Sequence, residues 1–288
     1  MKYLIPVFLA CALSAQVKTF DSPEAAAQAV VAAAESNDMP ALTAIFGSSK
    51  GILTSGDARQ DAQERAEFAR VARAKHSIEK DPMNLHRVFL VIGPEDWPFP
   101  VPIVERDGKW SFDPAQGEYE VRARRIGANE IDVLDLCAGF VEAQREYAQA
   151  DRDKDGILEY AEFLMSSPGK HDGLYSEEAP RIPKQVAMAE VKPGTKATPY
   201  RGYYFRILTA QGATDRTHAR SYVVNGKHMM GGFALVAWPA QYGVTGVHTF
   251  IVNQDGVVYE KDLGAAASNL MPPVRTFAPD KSWKRVDE

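Results

Sequence analysis

The segment Asp151-Arg152-Asp153-Lys154-Asp155-Gly156-Ile157-Leu158-Glu159-Tyr160-Ala161-Glu162-Phe163 is where residue type and spacing point most directly to a chemistry. Carboxylates alternate at Asp151, Asp153 and Asp155, a glycine follows at 156, and further carboxylates stand at Glu159 and Glu162. A hard divalent cation seeks six to eight oxygens at about 2.3–2.6 Å, and a tight loop can present them from one piece of chain. In that scheme Asp151, Asp153 and Asp155 supply side-chain oxygens and Gly156 makes the sharp turn. Ile157 offers its backbone carbonyl, Glu159 acts directly or through a water, and Glu162 closes the shell with both oxygens. The ion this set suits is calcium, Ca2+. Magnesium demands a tighter octahedron and keeps its waters, so it suits so many protein oxygens less well. Arg152 and Lys154 occupy positions that bind no metal and soften the mutual repulsion of the acids. The simpler alternative is a solvated acidic turn.

The numbering of ligands is that of an EF-hand-like loop, with Leu158 expected to anchor the loop to the core. Apolar residues recur at helical spacing over 129–150, with Asn129 as the expected cap, and a short helix is expected over 160–166 before Pro168. Residues 128–168 then read as helix, calcium loop, helix. Signalling loops of this kind come in pairs and open a Met-rich groove. Here the loop is single, which favours calcium as a structural staple over a regulatory switch.

Other chemistries find less support. Gly47-Ser48-Ser49-Lys50-Gly51 spells G-x-S-x-G, but it follows a helical pattern and leads into Ile52-Leu53-Thr54, not the strand-to-helix turn a nucleophile needs. The six histidines, 76, 86, 171, 218, 228 and 248, show no metal-binding spacing and read as surface or core polar residues. His171-Asp172 lies in a loop with room for function. No catalytic residue is identified, and an enzyme is not the expected reading. Scattered carboxylates and histidines keep an exported hydrolase as the alternative to a binding or envelope module. The net charge of −5 over 288 residues lacks the basic footprint of a nucleic-acid binder.

The elements around the loop predict an α+β protein with N-terminal helices and a small antiparallel sheet, a central helix–loop–helix and a C-terminal antiparallel β-sheet. Residues 1–15 read as an export leader, with Lys2 ahead of an apolar run and small residues after it, which predicts a periplasmic or secreted protein. No later segment is apolar for long enough to cross a membrane. Loss of the leader removes Cys11 and leaves Cys137, in an apolar helical stripe, as a core thiol without a disulfide. Residues 16–127 form the expected N-terminal α+β domain. Its helices lie near 23–36, 40–46 and 57–75. Its strands lie near 85–92, 101–105 and 109–112, with a hairpin at Asp107-Gly108. Residues 169–199 read as a linker, 200–264 as a β-rich region turning at Asn225-Gly226 and Asp255-Gly256, and 265–288 as a loose tail. The protein or small-molecule partner stays unknown.

Several stretches carry a resemblance. They include Phe20-Asp21-Ser22-Pro23-Glu24-Ala25-Ala26, Asp96-Trp97-Pro98-Phe99-Pro100 and Arg125-Ile126-Gly127-Ala128-Asn129-Glu130. Ala143-Gln144-Arg145-Glu146-Tyr147-Ala148, Pro168-Gly169-Lys170-His171-Asp172-Gly173-Leu174-Tyr175 and Gly202-Tyr203-Tyr204-Phe205-Arg206-Ile207-Leu208 continue it, as does the run from Thr249 to Gly264. Through these the chain resembles an exported bacterial family known as domain of unknown function 2950. The resemblance implies an exported protein and brings no activity or catalytic residue. The Asp-rich loop resembles the family's pattern, whose twelfth position varies; Glu162 makes it more complete here.

Overall fold

In this computed structural model the described residues are 17–47, 49–214, 218–268 and 274–286, so the expected leader at 1–15 lies outside them. The chain divides into two units, Met1–Thr54 with Ala58–Val121, and Ser55–Asp57 with Arg122–Glu288.

In the first unit, Ser22 caps the helix Pro23–Glu35 by accepting from the Ala25 amide at 3.1 Å, with Pro23 in the first turn. Asp38 does the same for Met39–Phe46, which stops at Gly47 (φ 67°). A third long helix runs over Ala58–Ala74. The antiparallel sheet takes its strands in sequence order, His76–Asp81, Asn84–Ile92, Ile103–Arg106 and Lys109–Phe112, and Trp97–Pro98 pairs at the side of Asn84–Ile92. The strand His76–Asp81 was not expected. Its sequence, HSIEKD, is exposed at four of its six residues and shows no apolar alternation, and it is held by its pairing with Asn84–Ile92. Asp107 and Gly108, both at positive φ, make the expected hairpin turn. Val30, Ile45, Phe46, Leu90, Ile103 and Phe112 form the centre of this unit's core. Gly47 to Gly51 does open a short helix, Lys50–Leu53, against expectation; it still follows a helix, so the nucleophile context fails.

The helix that enters the Asp-rich loop is longer than its periodicity suggested, Pro114–Tyr147. Pro114 is its first residue and Asp113 accepts from the Gln116 amide at 3.3 Å, so the helix begins there. Asn129 is therefore an interior residue and no cap; it is buried and donates through Nδ2 to the Thr245 carbonyl at 2.9 Å. The helix also stops at Tyr147, short of Ala150.

The second unit is built on an antiparallel sheet in the order Lys284–Arg285, Val258–Asp262, His248–Asn253, Ala234–Pro239, Tyr203–Leu208. Every residue of Ala234–Pro239 is buried, giving the continuous apolar run of a strand packed on both faces. Cys137 and Phe140 of the long helix pack into the same core, as the thiol's expected burial requires, and burial pushes the Cys137 thiol up to about 12. Two stretches are more integrated than their composition suggested. Residues 169–199 contain the strand Gly173–Tyr175 and helix Lys184–Met188, and bury Ile182, Val186, Ala189 and Val191 in the core. The stretch 265–288 supplies the sheet's edge strand Lys284–Arg285 and buries Phe277.

Glu130 fastens the long helix to this sheet. Its Oε1 accepts from the amides of Val247 at 2.8 Å and His248 at 2.9 Å and from the Tyr203 hydroxyl at 3.2 Å, while Oε2 meets the His248 ring at 3.1 Å. Burial opposes its ionisation, but the amide and imidazole donors outweigh it and hold the carboxyl below the usual range. Stability from this group is therefore present above the unfolded carboxylate value and lost as pH falls through the folded one. Glu130→Ala is expected to lower the free energy of unfolding at neutral pH by about 1–3 kcal/mol, by stranding two partly buried amides, and a urea titration followed by circular dichroism measures it.

Candidate metal centre

The chain leaves the long helix over Tyr147. Its ring lies between two guanidinium groups, Arg152 at 5.2 Å and Arg181 at 5.7 Å, and its hydroxyl donates to the His171 carbonyl. The next turn is shaped around one carboxylate. Asp151 Oδ1 accepts from Lys154 N at 2.7 Å and Asp155 N at 3.3 Å, and Oδ2 from Gly156 N at 2.9 Å. Lys154 (φ 64°) and Gly156 (φ 91°) take the left-handed backbone that so tight a turn requires. A Cβ on Gly156 would meet nothing within 4 Å, so the dihedral, not space, calls for glycine there.

The turn brings Asp151, Asp153 and Asp155 together, each with a carboxylate oxygen within 4.8 Å of the others. All three are solvent-facing. The Gly156 amide, ahead of the opposing effect of burial, holds Asp151 below the ordinary carboxylate range. Ile157 is half-buried and donates its amide to Asp155 Oδ1 at 2.9 Å. Glu159 and Glu162 lie outside the group of three, and only Glu159 feels its charges. Burial, with the charges of Asp153 and Asp155, raises Glu159. Burial, with Glu159 and Asp172, raises Glu162.

Beyond the turn the expected helix over 160–166 is absent. The chain runs extended into the strand Phe163–Met165, which pairs in parallel with Gly173–Tyr175. The physical reason is a set of long-range partners that outcompete helical hydrogen bonds. Tyr160 N donates to the Met229 carbonyl at 2.9 Å. Buried Gln144 binds Ala161 in both directions, Nε2 to the carbonyl and Oε1 from the amide, each at 2.9 Å. Leu164 N and Met165 N both donate to buried Glu190. The loop therefore sits between a helix and a strand. Leu158, expected to reach the core, is 55% exposed, because Ala161 and Leu164 take the inward positions instead.

Two residues of the site were not visible in the loop's own spacing. His228 approaches through Nδ1, 3.1 Å from Glu159 Oε2 and 3.6 Å from Asp155 Oδ2. It is carried by the hairpin Val223–Val224/His228–Met229, whose Asn225-Gly226 turn was legible while its target was not. Asp172, in the loop with room for function, accepts through its carbonyl from Glu162 N at 3.1 Å and through Oδ1 from Ser167 N at 2.7 Å.

Among the described residues no helix is long and apolar enough to cross a membrane. No curated protein and no solved structure matches the chain. The family described as "Protein of unknown function (DUF2950)" matches residues 17–286, nearly the whole sequence, and the chain belongs to that family.

Proposed function

We propose that this is an exported calcium-binding protein in which one ion, held by Asp151, Asp153, Asp155, the Ile157 carbonyl, Glu159 and Glu162, serves as a structural staple. The observation that carries the reading is the convergence of three carboxylates within 4.8 Å on a turn that its own backbone bonds hold in shape. The donors are all oxygens, which is the preference of a hard cation. His228 stands behind Glu159 and Asp155 as a partner that orients them, in the manner of groups that support metal ligands. An ion there ties the end of Pro114–Tyr147 to the strand Phe163–Met165 and so braces the second unit. The protein acts as a binding or envelope module, its calcium kept in place by the millimolar levels outside the cell.

At about 10 mM, calcium is expected to raise the melting temperature by several degrees, as a site of roughly 10⁻⁴–10⁻³ M affinity would, and magnesium to raise it less. Asp151→Ala together with Glu162→Ala abolishes the shift. Differential scanning fluorimetry of the chain without its leader reads both, and equal responses of parent and double variant would refute the assignment.

Glu162 yields a sharper expectation. Burial and its acidic neighbours oppose its charge. Glu162→Gln should therefore raise the melting temperature of the metal-free protein at neutral pH and shrink the gain on adding calcium. A structural glutamate would move the two readings in the same direction.

The pH dependence has a definite sign. The folded values of Glu159 and Glu162 lie above the unfolded value of 4.5, so the folded state holds protons that the unfolded state has lost. The metal-free protein then loses their contribution as pH rises from 4.5 through the folded values. Calcium needs both groups ionised, so its stabilising effect grows across the same window. Melting curves with and without calcium between about pH 5 and pH 7.5 are expected to diverge as pH rises.

A further inference from the structure

A cleft of about 280 Å³ lies in the second unit, close to the smallest volumes that hold organic molecules. None of the residues that line it is a proposed calcium ligand. The long helix forms one wall through Leu136 and Phe140, one turn apart on the same face. Ile182, Pro183, Val186 and the Tyr200 ring extend this apolar body. Past Asp135 and Gly139, both exposed, the cleft opens to water.

Arg181, also in the lining, supplies what this body lacks, a set of hydrogen-bond donors. Its side chain is only 11% exposed. Nη1 donates to the Ala179 carbonyl at 3.2 Å, and the guanidinium faces the Tyr147 ring at 5.7 Å. Glu146 Oε1 comes within 3.2 Å of Nε but out of line with its N–H, so the buried Nε has no hydrogen-bond partner. Nη2 donates to no group among the described residues. A buried donor left without an acceptor is unfavourable, and an incoming acceptor relieves it.

The charges around the cleft select an anion. Asp132 and Arg201, both partly exposed, pair with each other at 3.0 Å. Asp135 stands in water and Glu146 is 63% exposed, so solvent screens both carboxylates. The Arg181 guanidinium is the lining charge held out of water. A guanidinium fork takes a carboxylate through two parallel hydrogen bonds. Glu146 stands beside the Nε edge without filling it, and so exposed a pair is weak.

We propose that this cleft binds a small monocarboxylate carried on an aromatic or branched hydrocarbon frame. The frame lies against Leu136, Phe140, Ile182 and Val186. The carboxylate meets Arg181 at Nη2, draws Nε into line and turns Glu146 out into water. Glu146 is then an internal competitor for the guanidinium, and the ligand replaces it with a better-aligned partner.

3-Phenylpropionate is a suitable probe, with 3-phenylpropionamide and phenethylamine as its neutral and cationic counterparts. Each is titrated into the chain over residues 16–288 and followed by saturation-transfer NMR. The acid is expected to bind saturably with a Kd of about 1 mM, and the amide and amine at least about fivefold more weakly. Arg181→Lys, which keeps the charge and loses the fork, weakens the acid by about fivefold. Glu146→Gln removes the competitor and tightens the acid by about two- to threefold, which a purely structural pair would not do. Melting curves check that both variants fold; if Arg181→Lys does not, Glu146→Gln and the three ligands decide. The proposal is overturned if the acid shows no saturable binding to about 10 mM, or if the amide or the amine binds as well as the acid. Affinity for the acid that Glu146→Gln and a folded Arg181→Lys leave unchanged overturns it too.

Discussion

Chain that enters a core in extended form must find partners for its amides away from its own helix, and Gln144 provides both for Ala161. That reciprocal pair, buried and 17 residues apart in sequence, fixes how the Asp-rich turn is presented. With the Tyr160 amide on Met229 and the amides of Leu164 and Met165 on Glu190, it holds the far side of the turn to helix, hairpin and sheet at once. The near side is held by Tyr147 between Arg152 and Arg181. Between these anchors the chain has little freedom, and the three aspartates are pressed together despite their like charge. The same anchoring explains why Glu159 and Glu162 are partly buried although nothing apolar requires it: they lie on the extended segment that Gln144 draws inward.

Electrostatics then separates structural acids from candidate ligands. Glu130 is half-buried and Glu190 buried, yet each carboxylate is met by backbone amides and a basic side chain, so both serve to join elements. Glu162 is different. Its charge faces Glu159 and Asp172, with Lys170 and His228 as weaker compensation. Burial raises Glu190 as well, but its charge faces Lys192 and two amides, whereas at Glu162 like charges add to the effect of burial, an arrangement that suits a cation.

The parts of this arrangement that were legible in the sequence are those governed by local rules. Ser22 and Asp38 announce their helices because an N-cap acts within three residues. Asp107-Gly108 and Asn225-Gly226 announce their hairpins because only residues tolerant of positive φ fit there. The Asp151–Gly156 turn belongs to the same class, its hydrogen bonds closing within five residues. The helix expected after the turn failed because the partners that replace it, Gln144, Met229, Asp172 and Glu190, lie far off in sequence. The start of the long helix was hidden by polar residues and by Gly117, where an added Cβ would come within 2.8 Å of the Val101 Cα, so that glycine serves close packing. His228 reaches the site only through the tertiary fold, so no spacing rule could have named it.

Calcium binding at the Asp-rich turn is tested most directly by isothermal titration calorimetry of the metal-free chain over residues 16–288. One ion per chain is expected, with an affinity of roughly 10⁻⁴–10⁻³ M, and Asp153→Ala is expected to remove the heat of binding. Absence of saturable calcium binding up to about 10 mM, or binding unchanged in that variant, would contradict it.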